Sequence, residues 1–342
     1  MELYLYNPST DIALARDSVN FTPSAAVRAF ERQMALLPAL YMPPGAAVLL
    51  PDEIPAEELP SLRHWRPGLA ALNFSELRGK RVRVNPWGWN RALTARLRRS
   101  GAEVENLPSD PELTSWRQLA HRRQTVKLSR LLGADEADRP VEVSRLTEAE
   151  AVLSRMDGGC MLKLPWSSSG RGVVPLFPAE DRERTMRRIG DGIRTQGSVM
   201  IEPLHTRRLD FATEWISTGR EISFLGWSVF STGESGNYGG NLTESQEALL
   251  RAISEASGQS AGQLRQLADR IRRALEQILL TAPCPYRGPL GVDGLVAESG
   301  RIIPYVEINL RMTMGHVALA QARAMQAMQG QQVPQGQASR RE

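Results

Sequence analysis

The sequence has 342 residues, of which 42% are hydrophobic and 23% charged, with a formal net charge of +4 and a pI of about 9.3. That length exceeds one ordinary domain, and the composition is typical of a globular chain, not of a disordered or fibrous one. Because the basic residues alternate with acidic ones, as in 180–184, the positive charge does not predict a nucleic-acid partner.

The beginning of the sequence, MELYLYNPSTD, has neither the basic nor the apolar stretch of a signal peptide. No run approaches the roughly 20 apolar residues of a membrane helix, so no membrane partner is predicted. Cys160 and Cys284 lie too far apart in the sequence to form a metal-binding motif. These features favour a reduced, cytoplasmic setting.

Lysine is rare in this chain. Of the 42 basic residues only Lys80, Lys127 and Lys163 are lysines. A lysine in such an arginine-biased chain can mark a position that needs a compact ammonium group. Chance is the alternative, and for Lys80 it is the simpler interpretation.

The first part of the chain repeats the order strand, Asn-Pro, helix. Residues 2–6 are predicted to form a strand that ends at Asn7, and residues 81–84 a strand that ends at Asn85. The repetition predicts an open, Rossmann-like parallel α/β sheet, in which ligands bind beyond the carboxyl ends of strands. Asn7 and Asn85 are therefore candidate substrate contacts, although Asn-Pro also serves simply to end a strand. Further elements predicted here are a helix from about residue 11, a helix over 23–40, a strand over 48–50, a helix capped by Asn90 and ended by Gly101, and a strand over 102–107.

The pattern after residue 110 predicts an α+β arrangement. The predicted helices cover 112–133, 147–155 and 261–280. The predicted strands cover 160–164, 173–177, 198–203, 210–217 and 221–230, followed by a hairpin of 289–297 and 301–309. From about residue 326 the Gln- and Gly-rich sequence predicts a flexible tail.

The closing hairpin carries the strongest chemical pattern. Because side chains alternate along a strand, Glu307 and Asn309 share a face, and a turn near Gly300 places Asp293 opposite Glu307. Two carboxylates and an amide oxygen in one small volume suit Mg²⁺. Arg311 continues the alternation and adds a positive charge beside the metal. The alternative is a hairpin whose polar face is merely hydrated, but two facing acids without a cation would repel each other.

A Ser- and Gly-rich loop follows Lys163, which lies near the end of a predicted strand. Its backbone N–H groups and hydroxyls are suited to holding phosphates, and Arg171 can donate two hydrogen bonds to one phosphate. The loop is neither a P-loop nor a GxGxxG turn. A plain polar hairpin loop is the alternative.

The third pattern is Glu202-Pro203-Leu204, where a predicted strand ends. This segment is interpreted as an interdomain hinge whose free backbone groups can bind an adenine edge. A simple turn is the alternative.

In this order the three patterns resemble the ATP-grasp superfamily. Glu307-Ile-Asn309-Leu-Arg311 is similar to the E-x-N-x-R signature of biotin carboxylases and to the E-x-N of D-alanine–D-alanine ligases, and Asp293 is similar to the family's first metal carboxylate. The resemblance implies an ATP-grasp domain over 116–325, preceded by a pre-ATP-grasp α/β domain over 1–115 and followed by a tail over 326–342.

The resemblance also implies ATP as a ligand, with Mg²⁺, or Mn²⁺ as the alternative ion, on Asp293, Glu307 and Asn309. The residues that it assigns to the nucleotide are Lys163, Ser168, Ser169, Gly170, Arg171, Gly172, Glu202, Pro203, Leu204 and Asp210. Glu214 is the alternative to Asp210 as the ribose-binding acid. A second phosphate-binding cation is expected on the preceding helix, where Arg123 and Lys127 both fit.

The activity implied is that of a ligase that converts a substrate carboxylate into an acyl phosphate, which an amine or similar nucleophile then attacks. Lys163, Arg171 and Arg311 are the predicted catalytic residues. Tyr238 and Asn241, in the Gly-rich segment 231–241, are candidate substrate contacts unless that segment is a plain surface loop. A phosphotransferase with this fold and a non-catalytic nucleotide-binding protein are the alternative functions. The expected partners are small-molecule substrates, with a homodimer left open.

Overall fold

The computed structural model describes residues 1–51, 68–156, 158–167, 172–177, 182–233 and 238–331, which form three sheets with their helices. The predicted combination of a parallel α/β part and an α+β part is confirmed. No helix in these stretches is long and apolar enough to cross a membrane.

The first sheet is parallel, with the strand order β3-β2-β1-β4-β5. Its strands are β1 (Glu2–Leu5), β2 (Ala47–Leu50), β3 (Ala70–Asn73), β4 (Arg81–Pro86) and β5 (Glu103–Val104). Neighbouring residues of β2 belong to separate cores, with Val48 on one face and Leu49 on the other. The chain order reverses between β1 and β4, so the crevice at their carboxyl ends is where such sheets bind ligands.

Within the described residues, the helices α1 (Thr10–Arg16), α2 (Ala25–Gln33) and α3 (Arg91–Ser100) accompany this sheet. Helix α3 begins and ends as predicted, because Asn90 accepts a hydrogen bond from the Leu93 N–H at 3.0 Å and Gly101 adopts a φ of 75°. The helix predicted over 23–40 instead ends at Gln33, and a 3₁₀ turn with Pro38 follows over Leu37–Leu40.

The prediction of one helix over 112–133 is wrong. The structure has two helices, α4 (Asp110–Leu119) and α5 (Arg123–Leu131). The backbone turns between them through hydrogen bonds of 3₁₀ type, and the side chains of His121 and Arg122 are buried at the break. This break determines which cation faces the site described below.

The second sheet is antiparallel, with the order β6-β9-β7-β8. Its strands are β6 (Val141–Val143), β7 (Cys160–Lys163), β8 (Val173–Leu176) and β9 (Val199–Pro203). Helices α6 (Leu146–Leu153) and α7 (Arg182–Gln196) pack on one face. The other face is left for the cleft.

The third sheet is also antiparallel, with the order β12-β11-β10-β13-β14. Its strands are β10 (Arg207–Ser217), β11 (Ile222–Thr232), β12 (Tyr238–Asn241), β13 (Gly288–Ala297) and β14 (Ile302–Asn309). Its helices are α8 (Gln246–Ser257), α9 (Ala261–Leu279) and α10 (Met314–Gln331). Trp215, Trp227 and Leu275 belong to the large core between this sheet and its helices.

Helix α10 continues to Gln331, and the flexible tail over 326–342 stays a prediction. Residues 332–342 lie outside the described part of the chain.

A cleft separates the second sheet from the third. Met161 and Glu202 line it on one side, and Leu295 and Val306 on the other. Lys163 crosses it, since its Nζ donates a hydrogen bond to the Val306 carbonyl at 3.2 Å. Of the predicted site residues, Lys163 therefore spans this cleft, and Glu202, Pro203 and Leu204 line it.

Candidate active site

The three predicted metal ligands lie side by side on β13 and β14. Asp293 pairs with Glu307 and Gly291 with Asn309, which is the register that the sequence predicts. The Asn309 Nδ2 donates a hydrogen bond to the Asp293 Oδ2 at 3.1 Å. Their assignment as metal ligands stays a prediction, but their side chains form one cluster.

The charge of this cluster needs compensation. Burial, together with the negative charges of Glu307 and Glu214, raises the pKa of Asp293 to about 8, against smaller opposing effects of Arg311 and of the Asn309 hydrogen bond. Near neutral pH the Asp293 carboxyl therefore holds a proton unless a cation takes its place. Among the described residues no group of three or more His, Cys, Asp or Glu side chains could hold a metal ion. The predicted site offers two carboxylates and the amide of Asn309. Few protein ligands and only oxygen donors fit Mg²⁺.

Arg122 is the cation that sequence reasoning missed. Its Nη2 donates a hydrogen bond to the Glu307 Oε1 at 2.6 Å, and its Nη1 donates to the Leu164 carbonyl at 2.5 Å and to the Ser167 Oγ at 2.6 Å. Arg122 is 6% exposed, and its buried Nε has no partner among the described residues. One guanidinium thus joins the start of α5, the loop after β7 and the cluster of Asp293, Glu307 and Asn309.

The two cations predicted on this helix do not face the cluster. The Arg123 Nη2 donates to the Glu142 Oε1 at 2.8 Å, on the edge of the second sheet. Lys127 is exposed and lines a separate groove. The prediction failed because it assumed one continuous helix over 112–133. The break before Arg123 instead directs the Arg122 side chain toward Glu307. The burial of His121 and Arg122 at the break is a tertiary feature, so the sequence carried no signal for it.

Lys163 is the last residue of β7, near the strand end where it was predicted, and it is only 4% exposed. It forms a salt bridge with Glu202 as well as its hydrogen bond to the Val306 carbonyl. A buried ammonium between the two sheets provides positive charge opposite the strand that carries Glu307.

Of the predicted phosphate loop, Ser168, Ser169, Gly170 and Arg171 lie outside the described residues. The two ends of the loop are described. Ser167 accepts the hydrogen bond from Arg122, and the Gly172 carbonyl accepts one from the Leu164 N–H at 2.8 Å. Gly172 has a φ of 74°, and a Cβ there would lie 2.8 Å from a Leu164 methyl carbon, so glycine is required.

The predicted adenine hinge borders the cleft. Glu202, Pro203 and Leu204 all line it, and β9 ends at Pro203 as predicted. The Leu204 N–H donates to the Gly159 carbonyl at 3.3 Å, so this N–H is already engaged. Glu202 has a clear role here as the partner of Lys163.

The two acids considered for the ribose differ sharply. Asp210 accepts a hydrogen bond from the Thr232 hydroxyl at 2.5 Å and lies 3.7 Å from the Arg207 guanidinium. Glu214 is 1% exposed, and its carboxylate accepts hydrogen bonds from Ser228 at 2.9 Å and Thr313 at 2.8 Å. Because Glu214 is enclosed by protein, the alternative that it binds ribose does not fit the structure.

The Glu214 carboxylate also lies 3.0 Å from the His316 Nδ1. The His316 Nε2 faces the Trp215 carbonyl at 3.1 Å, so the imidazole links α10 to β10. A Cβ at Gly315 would lie 1.9 Å from the Glu214 Oε1. This buried polar network fixes the segment that follows Arg311.

Arg311 does not point freely into the site. Its Nε donates to the Asp11 Oδ2 at 2.8 Å, and its Nη1 donates to the Met312 carbonyl at 3.1 Å. Burial and the negative charge of Glu307 raise the pKa of Asp11, and the positive charge of Arg311 lowers it. Asp11, on the first helix of the chain, is therefore a second site residue that sequence reasoning missed.

The predicted substrate asparagines lie where the parallel sheet meets this site. The Asn7 side chain makes two hydrogen bonds with the Gly88 backbone, at 2.8 and 3.3 Å, so it joins the two Asn-Pro loops. The buried Nδ2 of Asn85 has no partner among the described residues. The Trp87 carbonyl accepts a hydrogen bond from the Met312 N–H at 2.8 Å, which holds the loop against the segment after β14.

Tyr238 and Asn241 lie on β12 and contact each other, with the Tyr238 hydroxyl donating to the Asn241 Oδ1 at 2.5 Å. Tyr238 is 42% exposed. Burial raises its pKa to about 12, and the charge of Glu214 acts in the same direction. The hydroxyl therefore stays protonated near neutral pH. Their contact with a substrate stays a prediction.

No protein-family model matches the sequence. The butirosin acyl-carrier protein L-glutamate ligase of Niallia circulans is 29% identical over 209 residues, which cover 59% of this chain and 45% of that protein. This chain thus spans less than half the length of that relative.

Several solved structures share the fold at low sequence identity. Pyruvate carboxylase of Rhizobium etli has a TM-score of 0.54 at 12% identity, covering 93% of this chain and 27% of that one. Biotin carboxylase of Campylobacter jejuni has a TM-score of 0.53 at 10% identity, covering 97% of this chain and 71% of that one. N5-carboxyaminoimidazole synthetase of Staphylococcus aureus, complexed with ADP, has a TM-score of 0.50 at 11% identity, covering 91% and 70%. These likenesses confirm the fold that the sequence predicts.

Proposed function

We propose that this chain, whose fold is that of the ATP-grasp superfamily, is an ATP- and Mg²⁺-dependent ligase that activates a carboxylate as an acyl phosphate. An amine or similar nucleophile would then replace the phosphate. The observation that carries the proposal is the position of Arg122, which bridges the Asp293–Glu307–Asn309 cluster, the loop after β7 and α5. A polyphosphate in this cleft would lie between an acidic cluster and two buried cations.

The metal fits the residues present. Asp293, Glu307 and Asn309 would hold Mg²⁺, which supplies compensation of phosphate charge when bound. The raised pKa of Asp293 and its pairing with Glu307 support this. A divalent cation would stabilise the ionised form of Asp293 and offset the repulsion between the two carboxylates.

The chain's own cations perform the remaining electrostatic work. Arg122 and Lys163 would face the phosphates and stabilise the charge that develops as a carboxylate oxygen attacks the γ-phosphorus and the bond to ADP breaks. Arg311, held by Asp11, would orient the carboxylate. In the second step the nucleophile attacks the carbonyl carbon, the carbon–oxygen bond breaks, and inorganic phosphate leaves.

The substrate carboxylate is proposed to belong to an amino acid. Asp11 and Arg311 place opposite charges next to each other at the edge of the cluster, which suits a zwitterion. The relative from Niallia circulans is named for L-glutamate, so L-glutamate is the first substrate to test. Small-molecule substrates, a cytoplasmic location and no nucleic-acid partner complete the proposal.

An isotope experiment tests the reaction type. The chain is incubated with ATP, Mg²⁺, hydroxylamine as nucleophile and L-glutamate or other amino acids labelled with ¹⁸O in the carboxylate. A ligase transfers one ¹⁸O into inorganic phosphate for each hydroxamate formed. A phosphorylated product with no free phosphate would instead indicate a phosphotransferase, and ATP turnover without ¹⁸O transfer would exclude an acyl phosphate.

A further inference from the structure

A groove separate from the cleft lies between the α4–α5 pair and the carboxyl-terminal end of α9. Its volume is about 880 Å³, and apolar side chains that include Leu119, Ile278 and Ala282 line it. Leu131 also lines it and is 44% exposed, although it is a large apolar residue. Leu119 and Ile278 are buried and form its floor, so Leu131 is a large apolar side chain that the groove leaves open to a partner.

The charged residues among the described lining of the groove are all basic. Lys127 and Arg130 line it and are exposed, and no acidic residue is among its described lining. Neither side chain has an ion-pair partner within the described part of the chain. Lys127 is one of only three lysines in the sequence, and the active-site geometry assigns it no role.

We propose that this groove docks an acidic amphipathic helix of a partner protein. A helix lying between α5 and α9 would pack its apolar face against Leu131, over the floor formed by Leu119 and Ile278, and place its acids beside Lys127 and Arg130. A nucleic acid would meet a largely apolar surface, which does not suit a phosphate backbone. A drug-sized ligand would need convergent polar groups, whereas the two cations lie at exposed positions.

Peptide binding to the full chain tests the proposal independently of ligase activity. The probe is a fluorescein-labelled helical peptide of about five turns, with leucines on one face and glutamates on the other, and its matched peptide has lysine in place of every glutamate. Fluorescence anisotropy should show at least about tenfold tighter binding of the acidic peptide to the wild-type chain. Lys127→Glu with Arg130→Glu should abolish or reverse that preference.

Three variants complete the test. Leu131→Asp should weaken binding of both peptides, whereas Arg184→Glu, an exposed change on α7, should leave the preference intact. The double variant Lys127→Gln with Arg130→Gln removes both charges with less disturbance of the fold and should reduce the preference for the acidic peptide. It takes the place of the double charge reversal if that variant does not fold.

Equal or absent binding of the two peptides by the wild-type chain would overturn the proposal, as would a preference retained after both charge reversals. Sedimentation of the wild-type chain and of the Lys127→Glu, Arg130→Glu variant tests whether a second copy of the chain occupies the groove instead. A wild-type dimer that the reversal dissociates would show that the groove contacts a second copy, which also contradicts the proposal.

Discussion

The Arg311 guanidinium donates a hydrogen bond from Nε to the Asp11 Oδ2 at 2.8 Å, although the two residues are 300 positions apart. Asp11 follows the first strand of the parallel sheet, and Arg311 follows the last strand of the third sheet. Both side chains are 15% exposed. The helix that follows the first strand of the parallel sheet therefore contributes a charged group that holds Arg311 beside the segment carrying Glu307 and Asn309.

Asp11→Asn should lower kcat/KM for the carboxylate substrate by about tenfold to a hundredfold and leave the KM for ATP nearly unchanged. The reason is that Arg311 loses the charged partner that orients it. Steady-state kinetics with each substrate varied in turn measures the effect. Asp17→Asn, at the end of the same helix, is the matched control and should behave like wild type. Equal losses toward both substrates would count against a role in orienting the carboxylate.

Arg122→Gln should lower kcat, or kcat/KM for ATP, on the order of a hundredfold, because the cleft loses a cation and several hydrogen bonds. Arg122→Lys should recover little activity, since an ammonium cannot reproduce the fork that reaches Glu307, Leu164 and Ser167. Lys127→Gln is the control and should keep its activity. If Lys127→Gln is the damaging change, the assignment of the phosphate-binding cation to Arg122 is wrong.

Alternating side chains predict which face of the closing hairpin carries the polar groups, and the pairing of Asp293 with Glu307 agrees with the sequence. Asp293, Glu307 and Asn309 therefore lie together as predicted. The register shift between Asp293 and Leu295, which pairs with Ile303, could not be predicted from that alternation. Arg122 and Asp11 could not be found in this way. The first depends on a helix break that buried polar contacts stabilise, and the second on the approach of segments 300 positions apart. Local periodicity contains neither kind of information.

Gly315→Ala should destabilise the protein by about 3 kcal/mol or more. The new Cβ would lie 1.9 Å from the Glu214 Oε1 and 2.6 Å from the Ser228 Oγ, within a buried network that has little room to move. Gly262→Ala in α9 is the control, where the nearest atom is the Ser260 Oγ at 3.7 Å, and alanine should stabilise by up to about 1 kcal/mol. Urea unfolding measures both, and similar stabilities for the two variants would contradict the rigidity inferred for this network.

His121 should make stability depend on pH. Burial lowers the pKa of His121 to about 4, with Arg123 contributing, whereas the unfolded chain binds a proton near the ordinary value of 6.5. The unfolded state thus binds more protons between these values, so this stability is present above about pH 6.5 and is lost as the pH falls toward 4. The titration of His121 should make the free energy of unfolding about 2 kcal/mol lower at pH 5 than at pH 7.

The variant His121→Gln removes this titration, and the difference between the two pH values should shrink by about 2 kcal/mol. Urea unfolding of both proteins at pH 7 and pH 5 provides the comparison. An identical pH dependence of the two proteins would show that the pKa of His121 is not lowered in the folded state.

The most direct test of the metal cluster is the binding of a non-hydrolysable ATP analogue with and without Mg²⁺, measured calorimetrically for wild type and for Glu307→Gln with Asn309→Ala. Wild type should bind the analogue more tightly with Mg²⁺. In the variant that enhancement should fall by about tenfold or more, while metal-free binding is retained. An unchanged Mg²⁺ enhancement in the variant would contradict the placement of the metal on β13 and β14.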